Sequence, residues 1–152
     1  MITGICIILI VGIFTGDLWI KNSIEKTDSV SFPMKFAKDT LILKKYHNTG
    51  AMFNLGAAKR SVMTAISVAI TALLSIAFLL SLGQCGNNVL RIGLSFLLGG
   101  SFSNTYDRLK RKYVVDYLSF NVKWKWFRKI VFNVSDFCII IGSLLAALGA
   151  SQ

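Results

Sequence analysis

Residues 61–83 read SVMTAISVAITALLSIAFLLSLG, a stretch without a single charged side chain. Because roughly 20 predominantly apolar residues are enough to cross the hydrocarbon core of a bilayer, this stretch predicts a transmembrane helix. Three further apolar runs lie at about 1–20, 89–106 and 129–150. The third reaches the required length only if the polar triplet Ser103-Asn104-Thr105 continues the helix. The sequence therefore predicts four transmembrane helices.

The composition of the whole chain is that of a membrane protein. Of its 152 residues, 54% are hydrophobic and 16% are charged, and the mean hydropathy is +0.61. Because backbone groups in lipid must be hydrogen-bonded internally, helices are the expected spans. We predict a membrane all-α fold forming one integral membrane domain over residues 1–152, with surface segments at 21–60 and 108–128. The first apolar run lacks a basic start and a small-residue cleavage site, so we interpret it as a retained helix.

The two surface segments carry patterns typical of β-strands. Leu41-Ile42-Leu43 is a β-favouring triplet, and apolar and polar residues alternate strictly from Phe120 to Trp126. Period two with aromatic enrichment indicates a half-buried strand. Tryptophans beside lysines also suit the lipid headgroup region. We predict a small β-rich surface segment at one membrane face; an interfacial loop without regular pairing is the alternative.

Basic residues are concentrated in the same two segments. Sixteen of the 17 lysines and arginines lie in 21–60 or 108–129, and Arg91 is the exception. With four spans, both segments face one side of the membrane. The positive-inside rule would place that side in the cytoplasm.

Nothing in the sequence predicts a metal or another cofactor. The three cysteines, Cys6, Cys85 and Cys138, are far apart and lack the spacing of a metal site or a redox pair. The lone His47 has no second ligand at helical spacing. A lipid phosphotransferase or phosphatase would need acid clusters or paired histidines, so this class is not favoured. No nucleic-acid partner is expected.

Four of the seven acidic residues border or enter apolar helices. They are Asp17, Asp107, Asp116 and Asp136. An ionisable group inside the membrane costs roughly 2.5–3.5 kcal/mol on insertion scales, so each is a candidate for function. Asp17 and Lys21 are four residues apart on one helix, where they can neutralise each other as a structural ion pair.

One stripe of the third helix carries Asn104, Asp107 and Arg108. Their spacing suits an internal hydrogen-bond network. For Asp107, structural support is the favoured role. Arg108 suits either that network or the binding of a phosphate or carbonyl oxygen through its fork of donors.

Asp116 and Asp136, unlike Asp17, are not readily explained as members of a neutralising ion pair. No basic residue follows Lys129, so nothing on its own helix neutralises Asp136, and Asp116 lies in the apolar stretch 114–118. Two carboxylates brought together there cannot both ionise, so they would share one proton. Such a pair suits peptide hydrolysis, in which one group activates a water and the other protonates the carbonyl or the leaving amine. The pair titrates as a unit, so acid and base are not assigned separately.

Five short motifs follow one another along the chain. They are Asp17 with Lys21, NTGAMF at 48–53, GGSFSNTYDR at 99–108, VVDY at 114–117 and FNVSD at 132–136. In this order they resemble those of lipoprotein signal peptidase, also called signal peptidase II, and the chain is similar to a divergent member. The resemblance implies an aspartic endopeptidase that removes the signal peptide from diacylglyceryl-prolipoproteins, just before the lipidated cysteine.

The resemblance also implies roles for single residues. Asp116 and Asp136 match the catalytic pair. The residues that match substrate-binding or supporting positions are Asn48, Gly50, Asn104, Arg108 and Asn133. Lipidated prolipoproteins and membrane phospholipids are the implied partners of a monomer that needs no metal. The implied location is the bacterial cytoplasmic membrane, which the chain crosses several times, with the active site near the outer face.

The chain departs from the family pattern near these motifs. Ser101 and Ser103 stand where Ala and Gly are usual, Ser135 replaces Ala, Met52 replaces a small residue and Phe137 replaces Ser. Ser103 adds a side chain where backbone or substrate is expected to approach closely. We expect Phe137 to narrow the pocket beside the two aspartates.

Two alternatives follow from these conflicts. The family orientation would turn the basic segments outward, against the positive-inside rule; they would then hold anionic lipid headgroups, each Lys or Arg contributing about 1 kcal/mol. The substituted glycines also allow a non-catalytic membrane binding or immunity-type module. Such a module would retain the peptidase fold and bind lipidated peptides or inhibitors.

Overall fold

The computed structural model describes residues 2–50, 60–83 and 86–151. These ranges contain four α-helices and one three-stranded sheet. The helices are α1 (Ile2–Lys26), α2 (Arg60–Leu82), α3 (Asn88–Lys110) and α4 (Val134–Ala150). The strands are β1 (Met34–Phe36), β2 (Leu41–Asn48) and β3 (Val114–Phe120). Cys85 and the end of the NTGAMF motif lie outside the described residues.

The helices differ in how well they suit a bilayer. Within the described residues, α1 with 25 residues and α2 with 23 have the length and apolar composition of a span. Helix α4 is apolar but has 17 residues, a length of about 26 Å against a hydrocarbon core of about 30 Å. Helix α3 has 23 residues, many of them polar. Two of the four predicted spans therefore stand out by length and composition.

Helix α3 is the central helix and packs against α1, α2 and α4. Its Leu94 and Leu98 are buried in a cluster with Cys6 of α1 and Phe78 of α2. The polar residues of α3 are also turned inward. Those that are buried include Ser95, Ser103, Asn104, Thr105 and Asp107. A central position explains how a helix with so many polar groups can stand among apolar neighbours, because those neighbours shield it.

The contact between α3 and α4 is close where glycines face each other. A Cβ added to Gly142 would lie 2.7 Å from both the Gly93 carbonyl oxygen and the Leu97 nitrogen. A Cβ added to Gly93 would meet the backbone of Ala146, and one added to Gly149 would meet that of Leu90. Small residues of this kind let helix backbones touch, which maximises packing between membrane helices.

The sheet is antiparallel in the order β1-β2-β3. Strand β2 pairs with β3 from Leu41 opposite Phe120 to Asn48 opposite Val114, with an irregularity between Leu43 and Tyr46. Since β2 comes from the first basic segment and β3 from the second, both segments lie at the same end of the helices. The prediction of a small β-rich surface segment is confirmed.

One strand was predicted in the wrong place. The alternation from Phe120 to Trp126 is not a strand: β3 ends at Phe120, and residues 121–126 form an irregular turn. The strand precedes it at Val114–Phe120 and is buried on both faces. A strand covered on both faces buries successive side chains, so the sequence VVDYLSF shows no apolar–polar alternation to detect.

Candidate active site

The two aspartates singled out in the sequence reach one cavity from different elements. Asp116 projects from β3, and Asp136 from the first turn of α4. Both line a cavity of about 560 Å³. Asn48, Asn104 and Arg108 line the same cavity. The structure thus brings together residues that are scattered over four motifs in the sequence.

The Asp116 carboxyl is held by two amides. Its Oδ2 accepts a hydrogen bond from Asn48 Nδ2 at 2.9 Å, and its Oδ1 accepts one from Asn133 Nδ2 at 2.7 Å. Burial, followed by the nearby Asp136 carboxyl, raises the pKa of Asp116 to about 7, although both amide hydrogen bonds act to lower it. Near neutral pH this carboxyl therefore keeps a proton for part of the time.

The Asp136 carboxyl belongs to the N-terminal cap of α4. Asn133 Oδ1 accepts from the Asp136 nitrogen at 2.9 Å, and Asp136 Oδ2 accepts from the Asn133 nitrogen at 3.0 Å, which completes a capping box. Asp136 Oδ1 accepts from Asn104 Nδ2 at 3.1 Å. The spacing of an N-cap Asn and an acid three residues later is readable from sequence, and it supplies Asp136 with donors on its own helix.

Asn133 connects the two carboxyls. Its Nδ2 donates to Asp116 Oδ1, as above, and also to Asn104 Oδ1 at 3.2 Å. The side chain is fully buried. One residue therefore touches Asp116 through its side chain and Asp136 through its backbone and its side-chain oxygen, so it fixes the position of each relative to the other.

The ion pair anticipated between Asp17 and Lys21 lies directly behind these residues. Lys21 Nζ is 2.7 Å from Asp17 Oδ2, and both side chains are fully buried. Lys21 Nζ also donates to Asn104 Oδ1 at 2.8 Å. The pair thus contacts Asn104, one of the residues that line the cavity.

Asp107 connects the end of α3 to the sheet. Its Oδ2 accepts from the Val115 backbone nitrogen at 3.1 Å and lies 3.3 Å from Lys21 Nζ. Its Oδ1 is 3.0 Å from Arg111 Nη1. These contacts give Asp107 a structural place next to the site, since it is absent from the described residues that line the cavity.

Arg108 and Gly50 meet at the edge of the cavity. Arg108 Nη2 donates to the Gly50 carbonyl oxygen at 3.1 Å, and Nη1 reaches the Asn104 carbonyl oxygen at 3.4 Å. The Gly50 nitrogen donates to Asn48 Oδ1 at 3.0 Å. Arg108 therefore holds Gly50 in place after β2, and Gly50 orients the Asn48 amide that contacts Asp116.

Sequence reasoning missed the role of Tyr117, which lies behind the site and contacts Asp17. Tyr117 Oη donates to Asp17 Oδ1 at 2.9 Å and accepts from the Val134 nitrogen at 3.1 Å. Burial, followed by the Asp17 charge, raises the pKa of Tyr117, so it remains a hydroxyl. The signal was present: neighbours on a strand point to opposite faces, so Tyr117 must face away from the cavity that Asp116 lines.

The departures at Ser103, Ser135 and Phe137 leave the cavity unobstructed. None of the three is among the described residues that line it. Phe137 packs on Phe132 and Phe120, with ring centroids 5.5 and 6.2 Å apart. The expectation that Phe137 narrows the pocket is wrong, because its ring lies within this aromatic group.

The cavity mouth is formed by residues that the sequence did not single out for the site. They are Lys125, Trp126 and Lys129, all exposed, from the turn before α4. In the described part of the chain, no three His, Cys, Asp or Glu side chains are grouped to hold a metal ion. The polar side chains of the cavity are carboxyls, amides and cations, together with Tyr46 and Trp126. This set suits acid–base chemistry on a carbonyl group.

Comparisons with known proteins identify relatives over most of the chain. Residues 8–151 match the sequence model of the family described as signal peptidase (SPase) II. The chain is 30% identical over 116 residues to the lipoprotein signal peptidase of Clostridium tetani (strain Massachusetts / E88), covering 74% of each chain. It is 27% identical over 145 residues to that of Clostridium acetobutylicum, covering 93% of this chain and 90% of the relative.

Solved structures show the same fold. A bacterial membrane enzyme determined by the in meso method at 2.3 Å resolution matches with a TM-score of 0.81 and 23% identity, over 97% of this chain and 87% of its own. A second such structure, at 1.9 Å resolution, matches with a TM-score of 0.79 and 23% identity, over 97% and 92% of the two chains.

Proposed function

The chain belongs to the signal peptidase II family, and we propose that it is an intramembrane aspartic endopeptidase acting on diacylglyceryl-prolipoproteins. It removes the signal peptide by cutting just before the lipidated cysteine. The observation that carries the proposal is the approach of Asp116 and Asp136 to one cavity, with Asn133 hydrogen-bonded to both. We refer to these two aspartates as the carboxyl pair.

The carboxyl pair works by sharing one proton. The ionised member takes a proton from the water that attacks the scissile carbonyl, and the protonated member supplies a proton to the carbonyl oxygen or the leaving amine. The raised pKa of Asp116, about 7, supports this division because it keeps a proton in the site near neutral pH. The amides of Asn48, Asn104 and Asn133 hold the carboxyl oxygens in place.

We further propose that all four helices cross the bacterial cytoplasmic membrane, with the cavity near the outer face. The central position of α3 supports its role as a span, because α1, α2 and α4 shield its polar side chains from lipid. At the sheet end, Trp124 and Trp126 are 69% and 59% exposed and alternate with lysines, as suits a headgroup region holding anionic phospholipids. The active unit is a monomer.

A topology assay tests this orientation. Four spans place both termini on the side of the membrane opposite the sheet, which is the cytoplasm in the proposed orientation. A reporter fused to the C-terminus should therefore be active only in the cytoplasm. A reporter that is active outside the cell would overturn the proposed orientation while leaving the fold intact.

Cleavage of a defined substrate tests the function. The purified parent protein should cleave a synthetic diacylglyceryl-prolipoprotein, and Asp116→Asn and Asp136→Asn should each abolish cleavage while leaving the protein folded. Asp39→Asn is the matched control, because Asp39 lies in the surface segment with its side chain 58% exposed. Cleavage that survives in both site variants would refute the carboxyl pair.

The non-catalytic binding module is not favoured by the site. The substitution that motivated it, Ser103 in place of Gly, donates to Asp17 behind the cavity, as does Ser135. They leave the carboxyl pair with all its amide partners. A parent protein that binds the lipidated substrate and never cleaves it would restore this alternative.

A further inference from the structure

The Asp17 carboxylate gathers side chains from four elements. Its Oδ2 accepts from Ser103 Oγ of α3 at 2.6 Å and from Ser135 Oγ of α4 at 2.5 Å. Together with Lys21 and with Tyr117 of β3, these hydroxyls surround a carboxylate that is 1% exposed. Both serines are fully buried, and both stand where the family pattern has a residue without a hydroxyl.

The ammonium of Lys21 connects the Asp17 cluster to the carboxyl pair through Asn104. An ammonium can only donate hydrogen bonds, so the amide of Asn104 must turn its oxygen toward Lys21 Nζ, at 2.8 Å. The Asn104 nitrogen is then directed at Asp136 Oδ1, at 3.1 Å. The orientation of the Asn104 amide therefore depends on Lys21 together with Asn133, whose Nδ2 donates to the same oxygen at 3.2 Å.

A second carboxylate competes for the same ammonium. Asp107 Oδ2 lies 3.3 Å from Lys21 Nζ, against 2.7 Å for Asp17 Oδ2. Ser103 acts on this balance twice, because its hydroxyl accepts from Lys21 at 3.0 Å and donates to Asp17. Without the hydroxyls, Asp17 would lose two charge-assisted hydrogen bonds and the ammonium would be free to shift toward Asp107.

We propose that Ser103 and Ser135 are positioning residues of the peptidase reaction. Their hydroxyls hold the Asp17–Lys21 ion pair where Lys21 orients the Asn104 amide, and that amide aims Asp136 at the substrate. The two serines act together, since both donate to Asp17 Oδ2. This inference rests on the proposed function and adds two residues that touch neither the substrate nor the reacting carboxyls.

Alanine variants with matched controls test the inference. Ser103→Ala, Ser135→Ala and the double variant remove the hydroxyls with little change in volume. Ser95→Ala is the control on α3, because Ser95 is equally buried and its hydroxyl donates to the Arg91 carbonyl oxygen of its own helix. Ser143→Ala is the control on α4, where the hydroxyl donates to the Ile139 carbonyl oxygen.

The readout is the separation of kcat from KM on a synthetic lipidated substrate. We expect kcat to fall about tenfold in each single variant and up to about a hundredfold in the double variant. KM should stay within about twofold, because binding is not the affected step. Both controls should retain parental values. Repeating the series in an Asn104→Ala background should abolish the effect of the serine substitutions, since the amide they act through is then absent.

The other outcomes separate a failure of the positioning role from a failure of the proposed function. Parental kcat in the double variant, an undiminished effect in the Asn104→Ala background, or a loss that only follows the unfolded fraction would overturn the positioning role while the peptidase function stands. A parent protein that cleaves nothing would refute the proposed function, and this inference with it.

Discussion

Helices α3 and α4 are joined mainly by backbone contacts toward one end and by polar side chains toward the other, where Gly100 also packs against the Ser135 carbonyl oxygen. At the glycine end, formed by Gly93, Gly142 and Gly149, backbone lies directly against backbone. At the polar end, the joining groups are the side chains of Ser103, Asn104, Asn133, Ser135 and Asp136, and each of these has hydrogen-bond partners. The same two helices therefore show both solutions to packing in an apolar surrounding.

The difference teaches which kind of change each end tolerates. The glycine end has no room, so it is most sensitive to added atoms, although Asn87 Nδ2 also donates to the Gly149 carbonyl oxygen there at 2.9 Å. The polar end depends on paired donors and acceptors, so it is sensitive to lost or altered groups, because a buried polar atom without a partner is costly. Substitutions that reverse these expectations would break the comparison.

The largest expected effect is on catalysis at the polar end. Asp136→Asn keeps the shape of the side chain and one acceptor oxygen for the Asn133 nitrogen, but it removes one member of the carboxyl pair and the acceptor for Asn104 Nδ2. We expect kcat to fall about a thousandfold or more, with a loss of about 1 kcal/mol in the free energy of unfolding from the lost hydrogen bond. Single-turnover cleavage of a lipidated substrate gives the rate, and a melting curve in detergent gives the fold. A variant that is inactive because it is unfolded would show that the polar end is structural first.

The next effect concerns pH. Because the pKa of Asp116 is raised to about 7, the pair loses its shared proton above that pH, and kcat should fall about tenfold per pH unit there. Stability has the same sign: the folded protein holds a proton that the unfolded chain releases above its pKa of about 3.8. The stabilisation from the neutral carboxyl is therefore complete below pH 4 and is lost as pH rises through 7.

Asp116→Asn checks that sign. The variant should match the parent in melting temperature near pH 4 and exceed it at pH 8, because the amide carries no buried charge. A parent that grows more stable than the variant between pH 4 and pH 8 would contradict the raised pKa.

A smaller effect is expected at the glycine end. Gly93→Ala places a methyl group against the backbone of Ala146, and we expect a loss of about 1–3 kcal/mol in the free energy of unfolding. Gly12→Ala is the matched control, because a Cβ there meets nothing within 4 Å. That control should gain up to about 1 kcal/mol from helix propensity. Denaturation in mixed micelles measures both, and equal signs for the two would break the comparison.

The smallest expected effect on stability is at the N-cap asparagine Asn87, and the N-cap asparagine Asn133 is its counterpart. Asn87 caps α3 at the glycine end, accepting from the Leu90 nitrogen at 3.0 Å, and Asn133 caps α4 at the polar end. Asn87→Ala should cost about 1 kcal/mol through the lost cap, together with its hydrogen bond to the Gly149 carbonyl oxygen. Asn133→Ala should cost more, because it also removes a buried donor to Asp116 and Asn104. Only Asn133→Ala should also lower kcat, since only Asn133 contacts the carboxyl pair. If Asn87→Ala lowers kcat to the same degree, the two ends are not separate.

The sequence predicted the parts of this molecule that depend on local pattern. Residues 61–83 contain no charge and form α2 over most of their length, and the β-favouring triplet Leu41-Ile42-Leu43 begins β2. The order of the motifs indicated which polar residues belong together. The pairing of Asn133 with Asp136 was readable as a capping box, although its meaning for the charge of Asp136 was overlooked.

What escaped prediction depends on three-dimensional placement. Strand β3 is covered on both faces, so its sequence carries no alternation. The direction of the Ser103 and Ser135 hydroxyls depends on the meeting of α1, α3 and α4, which no spacing along one helix encodes. The same holds for Phe137, whose ring turns toward Phe132 because an aromatic group is available there.

The ion pair between Asp17 and Lys21 has a consequence for how the chain enters a bilayer. Both charges lie on α1, four residues apart, and α1 is made before the helices that later donate to them. A helix that carries a charge and its counter-charge one turn apart can partition into lipid as a neutral unit. On the proposed topology, α1 would therefore enter the bilayer without needing a partner for its charges. The hydroxyls of Ser103 and Ser135 would reach Asp17 only once α3 and α4 are made, so that assembly of this cluster would follow the order of synthesis.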